Sequence, residues 1–265
     1  MKPENYKIYK NPTVKTVIFQ IRFSNLFIIE NKIGDIQTEI MSKFPESSLT
    51  FRRELLFAHI GPQSKLEEIP IRENETNKIW VFKSDNYDYT LNVLTNALDI
   101  TSHHHKSYYE NGEYNEEGFR DIIEFTMSKF LSIIPLKKIK RIGLRYIDEC
   151  PILKEKLENG RPFKLKNDEF SSWYNTSLPL NRFNLEDLGA MKFEADLKRE
   201  DFNLIYRERL GLIDNEYKMS LDFDGYKKDI EAMKYLDILD NLHELIHEEW
   251  NKTIKEPVKN WMNGE

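Results

Sequence analysis

Between Asn115 and Ile147 the chain changes periodicity once, and that change limits the fold more than any other stretch does. Phe119, Ile122, Ile123, Met127, Phe130, Leu131 and Ile134 recur at intervals of three and four, drawing one apolar stripe down a helix. Asn115 stands where an N-cap belongs, Glu116 and Glu117 favour the dipole in the first turn, and Pro135 ends the helix. The period then falls to two. In Arg141-Ile142-Gly143-Leu144-Arg145-Tyr146, the residues Ile142, Leu144 and Tyr146 fall on one face of a strand and two guanidiniums on the other. A helix followed at once by a half-buried strand lays its stripe on the sheet that this strand enters.

The rest of the chain supplies that sheet. Val14 to Phe23, residues 50–60, Lys78 to Phe82, Tyr87 to Val93 and Ala97 to Ser102 read as strands, with a tight turn at Asp85-Asn86. Ile33 to Phe44 reads as a helix closed by Pro45. After a loop-rich stretch, 159–188, three more strands are expected at Ala190–Leu197, Phe202–Glu208 and Tyr217–Phe223. A long helix follows from Glu231 to Ile254, interrupted at Pro257 before a short turn around Trp261. Strands grouped together and then a helix, twice over, predict an α+β fold with a mainly antiparallel sheet and long packed helices. The two loosely similar halves are 1–151 and 152–265. Single strands do not alternate with helices, which argues against a doubly wound parallel sheet.

Charge and cysteine usage narrow the class of function. A formal net charge of -6 opposes a role in coating nucleic acid, since such affinity comes from lysines and arginines neutralising phosphates. No apolar run approaches the roughly 20 residues that span a bilayer, so no membrane partner is expected. Met1 to Tyr6 is polar, and the single cysteine, Cys150, permits no intramolecular disulfide. The expected compartment is the cytoplasm.

Several motifs invite a chemical reading. His243-Glu244-Leu245-Ile246-His247 has the H-E-x-x-H spacing of a zinc hydrolase, two imidazoles one helical turn apart beside a carboxylate. Against it, His243 falls in the apolar stripe Leu236, Leu239, Ile246, Trp250, and no third ligand is evident. A core histidine beside a surface one is the simpler expectation, with no metal and no cofactor. His103-His104-His105 cannot all converge on one ion from an extended chain, so these are read as loop polarity. Asp222-Phe223-Asp224-Gly225 resembles the start of a calcium loop but lacks the ligands that follow, and is read as a turn ending its strand. Cys150 has no base nearby in sequence and is read as a structural thiol. Dinucleotide, P-loop and nucleophile-elbow patterns do not occur.

The basic run Lys137-Lys138-Ile139-Lys140-Arg141, continuing to Arg145, is the strongest candidate for a contact surface. Arg141 and Arg145 share a face, Gly143 between them leaves the backbone approachable, and Arg22, Arg52 and Arg53 belong to strands that could lie alongside. Two readings stay open: a site for a partner's carboxylate or another anion, or a salt-bridged sheet face with Glu54, Glu149 or Asp148 as the acids.

Asn11-Pro12-Thr13-Val14 leading to Phe19-Gln20-Ile21-Arg22-Phe23, then Trp80 to Ser84, Arg141 to Asp148, Leu242-His243-Glu244 and Trp250 to Ile254 occur in an order that resembles a known family. It is a sporadically distributed prokaryotic family of uncharacterised proteins, marked by an R-I-G-L-R-Y strand and a late L-H-E helix. The resemblance carries no catalytic residue or cofactor with it. Patchy distribution implies accessory cargo, of the anti-phage or toxin-neutralising kind. The expectation is therefore a non-enzymatic cytoplasmic interaction protein that meets another protein through Arg141, Arg145, Trp80 and Arg22. The alternatives are nucleic-acid or nucleotide binding through the same basic face, and a zinc-dependent hydrolase at His243, Glu244 and His247.

Overall fold

The computed structural model describes residues 8–52, 77–105, 107–110, 117–153, 167–179, 182, 189–213 and 216–265. Nine strands among them form one antiparallel sheet: β1 (Val14–Arg22), β2 (Glu46–Arg52), β3 (Asn77–Lys83), β4 (Tyr89–Val93), β5 (Ala97–Ser102), β6 (Lys138–Cys150), β7 (Ala190–Arg199), β8 (Phe202–Ile213) and β9 (Glu216–Glu231). Their order across the sheet is β2-β3-β4-β5-β1-β6-β9-β8-β7. The helices are α1 (Ile28–Ile40), α2 (Phe119–Ile133), α3 (Asn167–Trp173), α4 (Tyr235–Thr253) and α5 (Glu256–Asn263). The fold is thus mixed α+β and dominated by its sheet. No described helix is long and apolar enough to cross a membrane.

Alternation along the central strands divides the sheet into two unlike faces. Val17, Phe19 and Ile21 of β1, Leu98 and Ile100 of β5, and Ile142 and Leu144 of β6 are fully buried on one side. Each contributes about 1.5–3 kcal/mol by leaving water. The described helices cover this side. α2 reaches it through Phe130 on Phe23 and through Phe119, whose ring stacks on Tyr89. Glu30 of α1 pairs there with Lys78 of β3. α4 lies on β6 and β9, where Gly225 leaves room for it: a Cβ at that position would stand 3.2 Å from Ile246 Cδ1 and 3.3 Å from Leu242 Cδ2. The opposite side carries no described helix.

Strand pairing crosses the middle of the chain. β6 and β9 run side by side from Lys138↔Glu231 to Cys150↔Met219, so strands of both halves share the sheet. Opposite Lys140, Asp229 adopts a left-handed φ of 54°, which aspartate tolerates better than most residues. The alternation slips there: Ile139 and Ile142 are both buried, and Lys140 and Arg141 both face the helix-free side.

Several expectations from the sequence are corrected. α1 begins at Ile28, a turn before the expected Ile33, because Ile29 joins Ile36 and Ile40 in its buried stripe. The second strand starts at Glu46 where 50 was expected, and its expected continuation from 53 to 60 lies outside the described residues. Asn115 also lies outside them. The cap of α2 is Gly118, whose N–H donates to Asp121 Oδ2 at 3.0 Å, while Phe119 and Arg120 donate to the carbonyls of Ser107 and Tyr108. The Asp222-Phe223-Asp224-Gly225 turn does not form: β9 runs straight through it to Glu231, held by ladders on both sides. α4 starts at Tyr235 after a short 3-10 turn, Ala232–Lys234.

Candidate functional site

Arg22, Arg141 and Arg145 share the helix-free face, since Arg22 pairs with Arg141 and Ile18 with Arg145 across β1 and β6. Trp80 does not join them. Its register runs Trp80↔Val93, Val93↔Leu98, Leu98↔Ile21 and Ile21↔Ile142, which puts the indole on the helix-covered side. β3 carries apolar residues on both faces, so its pattern alone left that choice open.

The arginines find their acids on β9. Arg145 donates from Nε and Nη2 to the two oxygens of Asp222 at 2.8 and 2.7 Å, a bidentate pair. Arg207 Nη1 also donates to Asp222, at 3.2 Å, and its Nε reaches Glu194 at 2.5 Å. Arg141 donates to Asp224 at 2.8 Å. Its guanidinium lies across Gly143, where a Cβ would come within 2.7 Å of Nη1, and 4.6 Å from the centroid of the Tyr226 ring. Gly143 therefore makes room for the chain's own arginine. The expected acids are otherwise engaged: Asp148 is on the other face, Glu149 lies 3.9 Å from Lys218, and Glu54 is outside the described residues. Beside this ladder a concavity of about 610 Å³ is lined by Gln20, Arg22, Asn92, Asp99, Lys140 and Arg141, among others.

The helix-covered side holds a second constellation, centred on α4. His243 is buried, as its place in the apolar stripe predicts, with its ring parallel to Tyr108 at 3.9 Å and its Nδ1 2.9 Å from the Tyr146 hydroxyl. His247, one turn on, lies 6.2 Å from both His243 and Trp250, ring to ring, and Glu244 between them is exposed. Among the described residues no three His, Cys, Asp or Glu side chains gather where they could hold a metal ion. Of the histidine triplet, His103 and His104 are exposed, whereas His105 turns in and sets its ring edge against Tyr146 at 5.6 Å. An ion-paired node closes one flank: Tyr108 and Arg120 both donate to Asp240, the guanidinium through two bonds of 2.8 and 3.1 Å.

Between these groups lies a cavity of about 110 Å³, walled largely by apolar atoms and reached by His105, Tyr146, His243, His247 and Trp250. Asp148 of β6 forms part of its wall and is fully buried. Thr13 Oγ1 and Trp250 Nε1 donate to its Oδ1, at 2.7 and 3.3 Å, and Oδ2 has no hydrogen-bond partner. Burial pushes this carboxyl up to about 6, against the bonds from Thr13 and Trp250 that draw it down. Burial also lowers His105 to about 4 and holds His243 and His247 below the ordinary imidazole range. Cys150 is buried nearby, and burial raises its thiol far out of the reactive range.

Sequence pattern does not bring Asp148, His105, Tyr108 and Trp250 together, because they come from β6, the connection between β5 and α2, and α4. One signal was present: Asp148 is an even-numbered neighbour of Ile142, Leu144 and Tyr146, and so belongs with the buried face. Comparison with models of known families finds no match, and comparisons with curated proteins and with solved structures find none either.

Proposed function

We propose that this protein is a non-enzymatic interaction protein, a cytoplasmic accessory factor that acts by recognition, and that another protein meets it on the helix-free face around Arg22, Arg141 and Arg145. One observation carries the reading. The described helices all lie on the other face, so a broad β-surface remains whose charges are already organised as guanidinium–carboxylate pairs. A surface of that kind suits a partner with its own mixed polar groups, because complementary charge sets register and approach more than raw affinity. The adjoining concavity adds amides, a carboxylate and two exposed basic groups, Lys140 and Arg22, the latter donating from Nε to Gln20 Oε1 at 2.8 Å.

The nucleic-acid alternative draws less support. Arg141, Arg145 and Arg207 are each bonded to a carboxylate, which leaves little net positive field for a polyanion. The hydrolase alternative is likewise weakened, since His243 Nδ1 is engaged by Tyr146 and Glu244 is exposed.

The test is affinity capture from the native host with wild type and with Arg22→Glu combined with Lys140→Glu. A specific partner retained by wild type and lost by the double variant, at an unchanged melting temperature, supports the reading. A partner held equally by both rejects this face. Saturable RNA or DNA binding that falls steeply with added salt would favour the nucleic-acid reading instead.

A further inference from the structure

β2 closes one end of the sheet, and among the described residues no strand lies beyond it. An edge of this kind invites a further strand unless charge, proline or a bulge guards it. The other end is guarded: β7 sets Lys192, Glu194, Asp196 and Lys198, all exposed, along its length. β2 lacks such protection. Its sequence, Glu46-Ser47-Ser48-Leu49-Thr50-Phe51-Arg52, carries charge only at its two ends and pairs with β3 without a bulge. Glu46 to Phe51 are all exposed, and Leu49 and Phe51 keep 48 % and 58 % of their surface in water.

The helix beside this edge is apolar where it need not be. Glu30 and Gln37 of α1 reach Lys78 of β3 and Ser47 of β2, which fixes the side of the helix that faces the edge strands. Phe27, Gly34 and Met41 belong to the same side by helical spacing. Phe27 and Met41 are exposed, and a Cβ at Gly34 would meet nothing within 4 Å. Ser47, Leu49 and Phe51 share this helix-covered face, whereas Thr50 lines the concavity on the other. An added strand would therefore find backbone to pair with and apolar surface to cover.

The strand that fits best is β2 itself, reversed. Set antiparallel about Leu49, the seven residues pair Leu49 with Leu49, Phe51 with the small Ser47 and Thr50 with Ser48. Glu46 then falls across from Arg52 of the second copy, opposite charges at both ends of the seam. Size, polarity and charge all match in this one register, which uses the whole strand and keeps each residue on its own face. From this self-complementarity we infer that β2 is the interface of a two-fold dimer, in which two copies join edge to edge into one continuous sheet. A two-fold axis through the Leu49 pair keeps both helix layers on one side. The helix-free faces then lie side by side, so the inference stands whether or not a partner binds there.

Sedimentation velocity across a dilution series tests this on the full chain. Wild type is expected to dimerise with a Kd on the order of 1–100 μM, as a small interface allows. Leu49→Lys sets two ammonium groups face to face on the axis and should raise that Kd at least about tenfold. Its melting temperature in dilute, monomeric solution should match wild type, because Leu49 is half in water already. Paired cysteines read the register, and Cys150 is buried away from mild oxidant. Leu49→Cys places two thiols on directly opposed residues, about 4.5–5.5 Å apart at Cα, and should give a covalent dimer. Phe51→Cys places them four residues apart along the seam, roughly 14 Å, and should not. Wild type that stays monomeric to about 500 μM, far above the expected Kd, overturns the inference and leaves β2 to a strand of another protein. Undiminished dimerisation of Leu49→Lys, or cross-linking at 51 as ready as at 49, overturns it too.

Discussion

The Tyr146 hydroxyl and the Nδ1 of His243 stand 2.9 Å apart in the core, joining the middle of β6 to the middle of α4. The contact explains why the imidazole at 243 faces inward among Leu239, Leu242 and Ile246: it has a hydrogen-bonding group to meet there. Tyr146→Phe keeps the ring and removes that group. The variant should lose about 1 kcal/mol, seen as a lower urea midpoint at unchanged slope.

Asp240 accepts from Tyr108 and, through two bonds, from Arg120, so one carboxylate ties α4 to the start of α2 and to the segment before it. Asp240→Asn should cost about 1–3 kcal/mol. Hydrogen exchange should then quicken at residues 107–110 and in the first turn of α2 before it does in β6.

Two glycines separate a rigid clash from a soft one. A Cβ at Gly118 would fall 2.4 Å from the carbonyl carbon of Tyr109, whereas at Gly143 it meets the end of the Arg141 side chain at 2.7 Å. Backbone cannot step aside as a guanidinium can. Gly118→Ala should destabilise by at least 1–3 kcal/mol, and Gly143→Ala by less, as compared by thermal unfolding.

On the ladder face, Asp222 serves two guanidiniums and Arg145 serves one carboxylate. Arg145→Ala should cost about 1 kcal/mol or less, as for a partly exposed pair. Asp222→Ala leaves Arg145 without its carboxylate and Arg207 with Glu194 alone, and should cost more, about 1–3 kcal/mol, by the same denaturation measurement.

Asp148 gives a pH dependence of definite sign. Burial pushes its carboxyl up to about 6 from the ordinary 3.8, with Thr13 and Trp250 opposing the rise and Asp222 adding to it. The protonated form is thus favoured by folding: the stability it brings is complete below about pH 4 and is lost as pH rises through 6. Asp148→Asn removes this loss. The variant should exceed wild type by up to about 3 kcal/mol above pH 7, with the gap closing toward pH 4. His105, lowered to about 4, acts oppositely, contributing stability above 6.5 that is lost as pH falls through 4. With His243 and His247 lowered as well, acid unfolding should be steeper in the asparagine variant than in wild type.

Much of this architecture was legible in local pattern. The period-two run in β6 separated Arg141 and Arg145 from Ile142, Leu144 and Tyr146, and the stripe of α4 placed His243 inside. What local pattern could not supply was pairing. Asp222-Phe223-Asp224-Gly225 has the composition of a turn, yet ladders with β6 and β8 keep it extended, sending the two aspartates to the arginines and Gly225 beneath α4. Trp80 went to the unexpected face because only its register with β4 decides the side. The bond from Thr13 to Asp148 spans 135 positions, so the buried carboxylate of the cavity has no local signature.

The ladder between β6 and β9 has a mechanical outcome. Separating the chain near 151 would bare the backbone donors and acceptors of a long central edge on each fragment, an adhesive surface that neither could shield by itself. The two pieces would then either recombine when produced together or precipitate when produced singly, and the intact polypeptide should melt as one cooperative unit.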